Sequence, residues 1–84
     1  MAVRGYILVR TEAGRDQVVA ACIGDVEHPG ARILHCDAVV GPYDVVVELE
    51  AENLEVLGEA LGTAIQRVPG VAATTTCLVI NLPG

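Results

Sequence analysis

The sequence predicts one α+β domain in the order βαββαβ, with a four-stranded antiparallel sheet carrying both helices on one face. Three observations predict it. The chain has 84 residues, enough for one domain and not two. Four segments rich in β-branched, alternating apolar residues are separated by turn signals. Two segments of helical periodicity fall between the first and second of these strands and between the third and fourth.

Residues Val3 to Thr11 put Gly5, Ile7 and Val9 on one face and Arg4, Tyr6, Leu8 and Arg10 on the other, the alternation of a strand. Both faces carry apolar residues, so both should be covered. Glu12-Ala13-Gly14 breaks the strand. From Arg15 the positions Val18, Val19, Cys22, Ile23 and Val26 recur at helical spacing, and Gly24 with His28-Pro29-Gly30 ends that helix. A second strand follows from Ala31 to Val40, apolar on both parities. Gly41-Pro42 is a turn signal, and Tyr43 to Glu50 is the third strand, with Val45-Val46-Val47 at its centre. These two strands form a hairpin around Gly41 and Pro42. Glu48 and Glu50 share a parity expected to face solvent.

Glu52 to Val68 reads as one long helix. Leu54, Leu57, Leu61, Ile65 and Val68 form a stripe that Ala64 widens. Glu52 and Glu55 near its start and Arg67 near its end suit the helix dipole, and Pro69-Gly70 stops it. Gly58 and Gly62, four residues apart, are expected to let the helix approach the sheet closely. Val71 to Leu82 is the fourth strand, with Thr74-Thr75-Thr76 in its middle. With right-handed crossovers this order gives the ferredoxin-like arrangement. One sheet face is then uncovered, and Tyr6 and Leu8 on it are expected to form a dimer interface with a second copy.

Composition points the same way. Hydrophobic residues make up 52% and glycine adds nine positions, above the usual ~45–50% that already includes glycine. A domain this small buries only roughly 60–65% of the surface its unfolded chain exposes. The surplus predicts burial between subunits, with the charge of −6 keeping the remainder soluble. Five basic residues against eleven acidic ones argue against a nucleic-acid binder, which needs a basic face. No uncharged apolar run reaches the roughly 18 residues of a membrane span. Met1-Ala2-Val3-Arg4 lacks the character of a signal peptide, so a cytoplasmic location is expected. Cys22, Cys36 and Cys77 are an odd set without C-x-x-C spacing, and read as reduced, partly buried thiols.

The chain resembles the effector-binding domain of the Lrp/AsnC family of amino-acid-responsive regulators, also called the regulation-of-amino-acid-metabolism domain. More closely, it resembles the stand-alone versions that lack the DNA-binding half. The resemblance runs through Tyr6-Ile7-Leu8-Val9 with Thr11-Glu12-Ala13-Gly14, then Gly41-Pro42-Tyr43-Asp44, then Ile65-Gln66-Arg67-Val68-Pro69-Gly70-Val71, and finally Thr74-Thr75-Thr76-Cys77-Leu78-Val79. It implies a dimeric α+β-barrel-type assembly, extended to a ring or disc such as an octamer or decamer. It also implies an amino acid or similar small effector between subunits, and regulation through partners such as a full-length Lrp/AsnC regulator.

By the same resemblance the ligand-binding residues are Gly41, Tyr43, Asp44, Thr74 and Thr76. The chemistry suits a zwitterion. Asp44 can accept from an ammonium group, threonine hydroxyls and hairpin N–H groups can donate to a carboxylate, and Tyr43 offers an apolar wall with a polar tip. Gly41 would let the backbone approach a ligand or adopt a positive φ. Each also has a structural reading: Gly41-Pro42 as a turn, Asp44 bonded to its own backbone, threonines as β formers, Tyr43 as interface packing. Around the threonines this chain has Ala73 and Thr75 where relatives often carry a charge. The stretch from Pro29 to Gly41 is longer than the common pattern, which predicts a bulge or longer loop.

No metal or cofactor is expected. His35 and Cys36 are strand neighbours pointing to opposite faces, and Cys36 and Cys77 fall on opposite edges. His35 and Asp37 share parity and are expected to form a structural polar pair. Two other readings compete with a binding module. A dimeric α+β-barrel enzyme would need a sizeable cavity between helices and sheet, with His35 or Tyr6 at its wall. That space is expected to be filled by Val18, Cys22, Leu57, Leu61 and Ile65. The other is a purely structural oligomerisation domain with a degenerate pocket.

Overall fold

In a computed structural model, which describes residues 2–80, the first strand realises its alternation residue by residue. Gly5, Ile7 and Val9 are buried, while Arg4, Tyr6 and Arg10 are exposed. The elements are β1 (Val3–Thr11), α1 (Asp16–Gly24), β2 (Ala31–Ala38), β3 (Val45–Ala51), α2 (Leu54–Ala60) and β4 (Val71–Leu78). A single π turn, Leu61–Ile65, continues α2. The strands pair antiparallel in the order β2-β3-β1-β4, as the sequence predicts.

The core lies between one sheet face and the helices. Ile7 and Val9 of β1 meet Val45, Val47 and Leu49 of β3 beneath Val19 and Ile23 of α1 and Leu57, Ala60 and Ile65 of the second helical segment, all essentially inaccessible. Each aliphatic side chain buried here contributes about 1.5–3 kcal/mol.

The structure corrects several local expectations. In α1 it is Val19 and Ile23 that face the sheet, and Val18 and Cys22 are exposed. Nine helical residues present only a narrow stripe, so Val26 falls beyond the helix end. β2 ends at Ala38 and carries a bulge: Ile33 faces Leu49 and His35 faces Glu48, leaving Leu34 as the extra residue. The expected irregularity between Pro29 and Gly41 is therefore present. It also puts Ile33 and Cys36, of opposite parity, on the same face.

The hairpin loop is wider than two residues. Val39 N–H donates to the Asp44 carbonyl at 2.9 Å, so Tyr43 and Asp44 belong to the loop rather than to β3. Pro42 has no N–H with which to extend the ladder.

The second helix is shorter than its stripe. Asn53 caps it, its side chain accepting from Val56 N–H at 2.8 Å. The α ladder then widens, with Gln66 N–H reaching back to the Leu61 carbonyl at 2.9 Å. Thr63 donates its hydroxyl to the Glu59 carbonyl at 2.6 Å, an arrangement that weakens α geometry. Gly58 and Gly62 add low helix propensity. Neither glycine packs on the sheet; a Cβ at either would meet open space. Leu54 is exposed and Val68 lies in the following turn. The sequence extends β4 to Leu82, but the strand ends at Leu78, and Val79 and Ile80 lie beyond it; residues 81–82 lie outside the described residues.

Gly70 has φ +99°, and a Cβ there would stand 2.9 Å from Val19 Cγ2. Gly70→Ala is therefore expected to lower the unfolding free energy in urea by more than about 1 kcal/mol. Gly41 has neither a positive φ nor a crowded Cβ position. Gly41→Ala is expected to stay within about 0.5 kcal/mol of the parent.

Candidate functional site

Paired positions of antiparallel strands share a face, so the registers define what lies opposite the helices. One row is Asp37, Val46, Leu8 and Thr75, and the next is His35, Glu48, Tyr6 and Cys77. Arg32, Glu50 and Arg4 follow. None of the described residues covers this face. It is not uniformly apolar: Leu8 and Val46 are half-buried, Tyr6 is 38% exposed, and the far rows are charged.

Two of its three arginines are matched by glutamates within the chain. Arg4 Nε lies 3.2 Å from Glu48 Oε2 and Arg32 Nε 3.4 Å from Glu50 Oε1. Tyr6 donates its hydroxyl to Glu48 at 3.5 Å, and His35 Nε2 is 3.9 Å from the other Glu48 oxygen. Glu48 is only 14% exposed, so it is less solvated than its parity predicts. His35 thus faces Glu48 across the ladder, not Asp37 along its own strand.

At the hairpin end stands a second cluster. β3 begins at Val45, so the Thr11 amide has no ladder partner on that side. Asp44 supplies one: its Oδ2 accepts from Thr11 N–H at 2.8 Å and from the Thr11 hydroxyl at 3.3 Å. The Asp44 N–H itself donates to the Val9 carbonyl at 2.9 Å. Asp44 therefore bonds the backbone of β1, 33 residues away, rather than its own. The Arg10 guanidinium sits over the Tyr43 ring, 5.6 Å from its centroid. Sequence reasoning missed both Thr11 and Arg10. Their partners come from a loop distant in the chain, and no local pattern marks them.

Thr74 and Thr76 fall on the other side. Thr74 pairs with Val9 and Thr76 with Ile7, both buried under the helices, and the Thr74 hydroxyl accepts from Gln66 Nε2 at 2.8 Å. Within the chain the hairpin residues Gly41, Tyr43 and Asp44 gather at one end of the sheet, and the two threonines line the helix side of β4. Thr75 shares the helix-free face with Leu8.

The space beneath the helices is filled by aliphatic side chains. At its edge lies Cys36, whose thiol donates to the Ala20 carbonyl at 3.3 Å. Burial, reinforced by Asp37, pushes that thiol above its ordinary pKa, so it is a poor nucleophile at neutral pH. A concavity of about 740 Å³ opens between α1 and β2, bounded by Asp25, His28 and Arg32. It lies at the opposite end of the sheet from the hairpin. A second of about 410 Å³ is bounded by Val3, Leu54 and Leu78. Neither has His35 or Tyr6 in its wall. Among the described residues, no helix is long and apolar enough to cross a membrane.

Over residues 5–83 the sequence matches the model of the Lrp/AsnC ligand binding domain. The chain belongs to that family. The Lrp/AsnC fold recurs in solved structures. TTHA0845 from Thermus thermophilus is 24% identical with a TM-score of 0.83, over 98% of both chains. The hypothetical protein PHS023 from Pyrococcus horikoshii is 26% identical with a TM-score of 0.80, over 95% of this chain and 92% of that one. AsnC of E. coli is 17% identical with a TM-score of 0.82, over 96% of this chain but 52% of its own length. No curated protein sequence matches the chain. Membership of the Lrp/AsnC family makes this a regulatory ligand-binding domain.

Asp44→Ala removes the acceptor of a part-buried amide and is expected to cost about 1–3 kcal/mol of stability. Asp44→Asn retains an acceptor oxygen and should cost less. Urea unfolding of the two variants measures the difference.

Proposed function

We propose that the chain is a stand-alone Lrp/AsnC-type effector-binding module. It self-assembles through the helix-free sheet face and holds an amino acid or similar small metabolite between subunits. It acts in transcriptional or metabolic regulation through partners in the cytoplasm, a full-length Lrp/AsnC regulator among them. The observation that carries this reading is the convergence of Tyr43 and Asp44 on the end of β1 in a chain of this family. The stand-alone form is supported by TTHA0845 and PHS023, whose own lengths the match covers almost completely. The amino-acid class is supported by the regulator NMB0573 of Neisseria meningitidis, solved as an L-Met complex, 17% identical with a TM-score of 0.76.

The placement of the threonines gives the site its form. Tyr43 lies beside Arg10, which belongs to the helix-free face, whereas Thr74 and Thr76 belong to the helix side. One small effector touches both sets where the hairpin of one subunit meets β4 of another. The dimer contact is made by Tyr6 and Leu8, with Val46 beside them. Binding is favoured over catalysis because the helix–sheet space holds a packed aliphatic core rather than a cleft with an acid–base pair.

An amino acid at 100 times its dissociation constant adds about 2.7 kcal/mol of apparent stability. A thermal-shift screen of the twenty amino acids is expected to give a selective rise for one chemical class, and no rise for any of them would remove the amino-acid reading. Leu8→Asp places a charge at the centre of the assembly face. Sedimentation should report a multimer for the parent and a monomer for the variant; a variant that stays assembled would show that another face is used.

A further inference from the structure

We propose that Arg10 is the carboxylate anchor of the effector site, acting beside Asp44 on the amino acid bound there. This rests on the effector-binding reading above.

Three arginines project from the helix-free face, and two are committed. Arg4 is paired with Glu48 and Arg32 with Glu50. Arg10 has no acidic partner among the described residues. Across the ladder it faces Ala73, which carries no charge. Its guanidinium lies over the Tyr43 ring instead. Stacking of this kind orients the guanidinium plane and leaves its N–H edge free to meet a planar carboxylate in a two-pronged hydrogen bond.

Asp44 is the complementary half. Thr11, the next residue after Arg10, holds Asp44 Oδ2 through both its N–H and its hydroxyl. The other oxygen, Oδ1, accepts no hydrogen bond from the described residues. A cation and an anion are thus fixed at one end of the sheet by separate, uncharged partners, and no ion pair joins them. They suit a ligand that carries both a carboxylate and an ammonium group, its carboxylate on Arg10 and its ammonium on Asp44.

The same arrangement excludes other classes. A phosphate dianion meets a single guanidinium beside a carboxylate on a chain of charge −6, so repulsion opposes it. An uncharged metabolite leaves both groups unmet. A second subunit over the site removes water and strengthens each charged contact.

The test is a thermal-shift and calorimetric comparison of the twenty L-amino acids with their carboxamides, on the parent protein and on Arg10→Gln and Arg10→Lys. The parent is expected to respond to an amino acid and not to its carboxamide. Arg10→Gln is expected to weaken binding of that amino acid at least about tenfold, and Arg10→Lys, which keeps the charge but not the fork, to fall between. Sedimentation of each variant separates lost assembly from lost anchoring. If Arg10→Gln fails to assemble, the carboxamide comparison on the parent decides alone. A carboxamide that binds as well as the acid, or an assembled Arg10→Gln of unchanged affinity, would overturn the anchor and leave the effector reading standing. No response to any amino acid would overturn both.

Discussion

Burial of Gly5, Ile7 and Val9 beneath the two helices fixes the register of β1 against both its neighbours. A slip of one residue would exchange these positions for Arg4, Tyr6 and Leu8 and bring a guanidinium into the aliphatic core. β1 is also a central strand, paired with β3 on one side and β4 on the other. One constraint therefore aligns the whole sheet. It sets Val45, Val47 and Leu49 under α1 and α2, aligns Thr74 and Thr76 with the same face, and leaves the even-numbered positions of β1 uncovered.

The uncovered face is graded along the strands. Towards the hairpin it offers Leu8 and Val46. Farther away, Glu48 gathers Arg4, Tyr6 and His35 around one largely shielded carboxylate. Charges matched within the subunit need no partner from a second copy, which lowers the cost of covering them. Close packing then falls to the apolar rows. A face of this kind is compatible with regulated association, because the charges around Glu48 and Glu50 are matched whether it is covered or not.

Asp44 shows how one side chain serves both fold and site. One carboxylate oxygen completes the hydrogen bonding of β1 where β3 has not yet begun, and the other remains available. The restraint that organises the loop is also what pre-organises the proposed acceptor, since a carboxylate already held by Thr11 loses little freedom on meeting a ligand. Tyr43 does the same for Arg10. The hairpin thus brackets the end of β1, and its wider loop is what allows Tyr43 and Asp44 to turn back over that strand.

The sequence by itself determined the order βαββαβ, the bounds of β1, the buried parity of that strand and the charge and apolar surplus, because period-2 and period-3.6 burial and Gly/Pro punctuation are local signals. Within that frame, Gly41, Tyr43 and Asp44 were legible as a cluster because they are consecutive or nearly so. Only the tertiary structure decided the rest. The sequence points to an irregularity between Pro29 and Gly41, but its place at Leu34 and the π turn at Leu61–Ile65 shift the phase of a periodic pattern by one residue, which the pattern alone does not locate. The pairing of Asp44 with Thr11, the stacking of Arg10 on Tyr43 and the placing of Thr74 and Thr76 on the helix side join residues far apart in the chain. Their geometry follows from strand register, and register is set by the packing of the whole sheet against its helices.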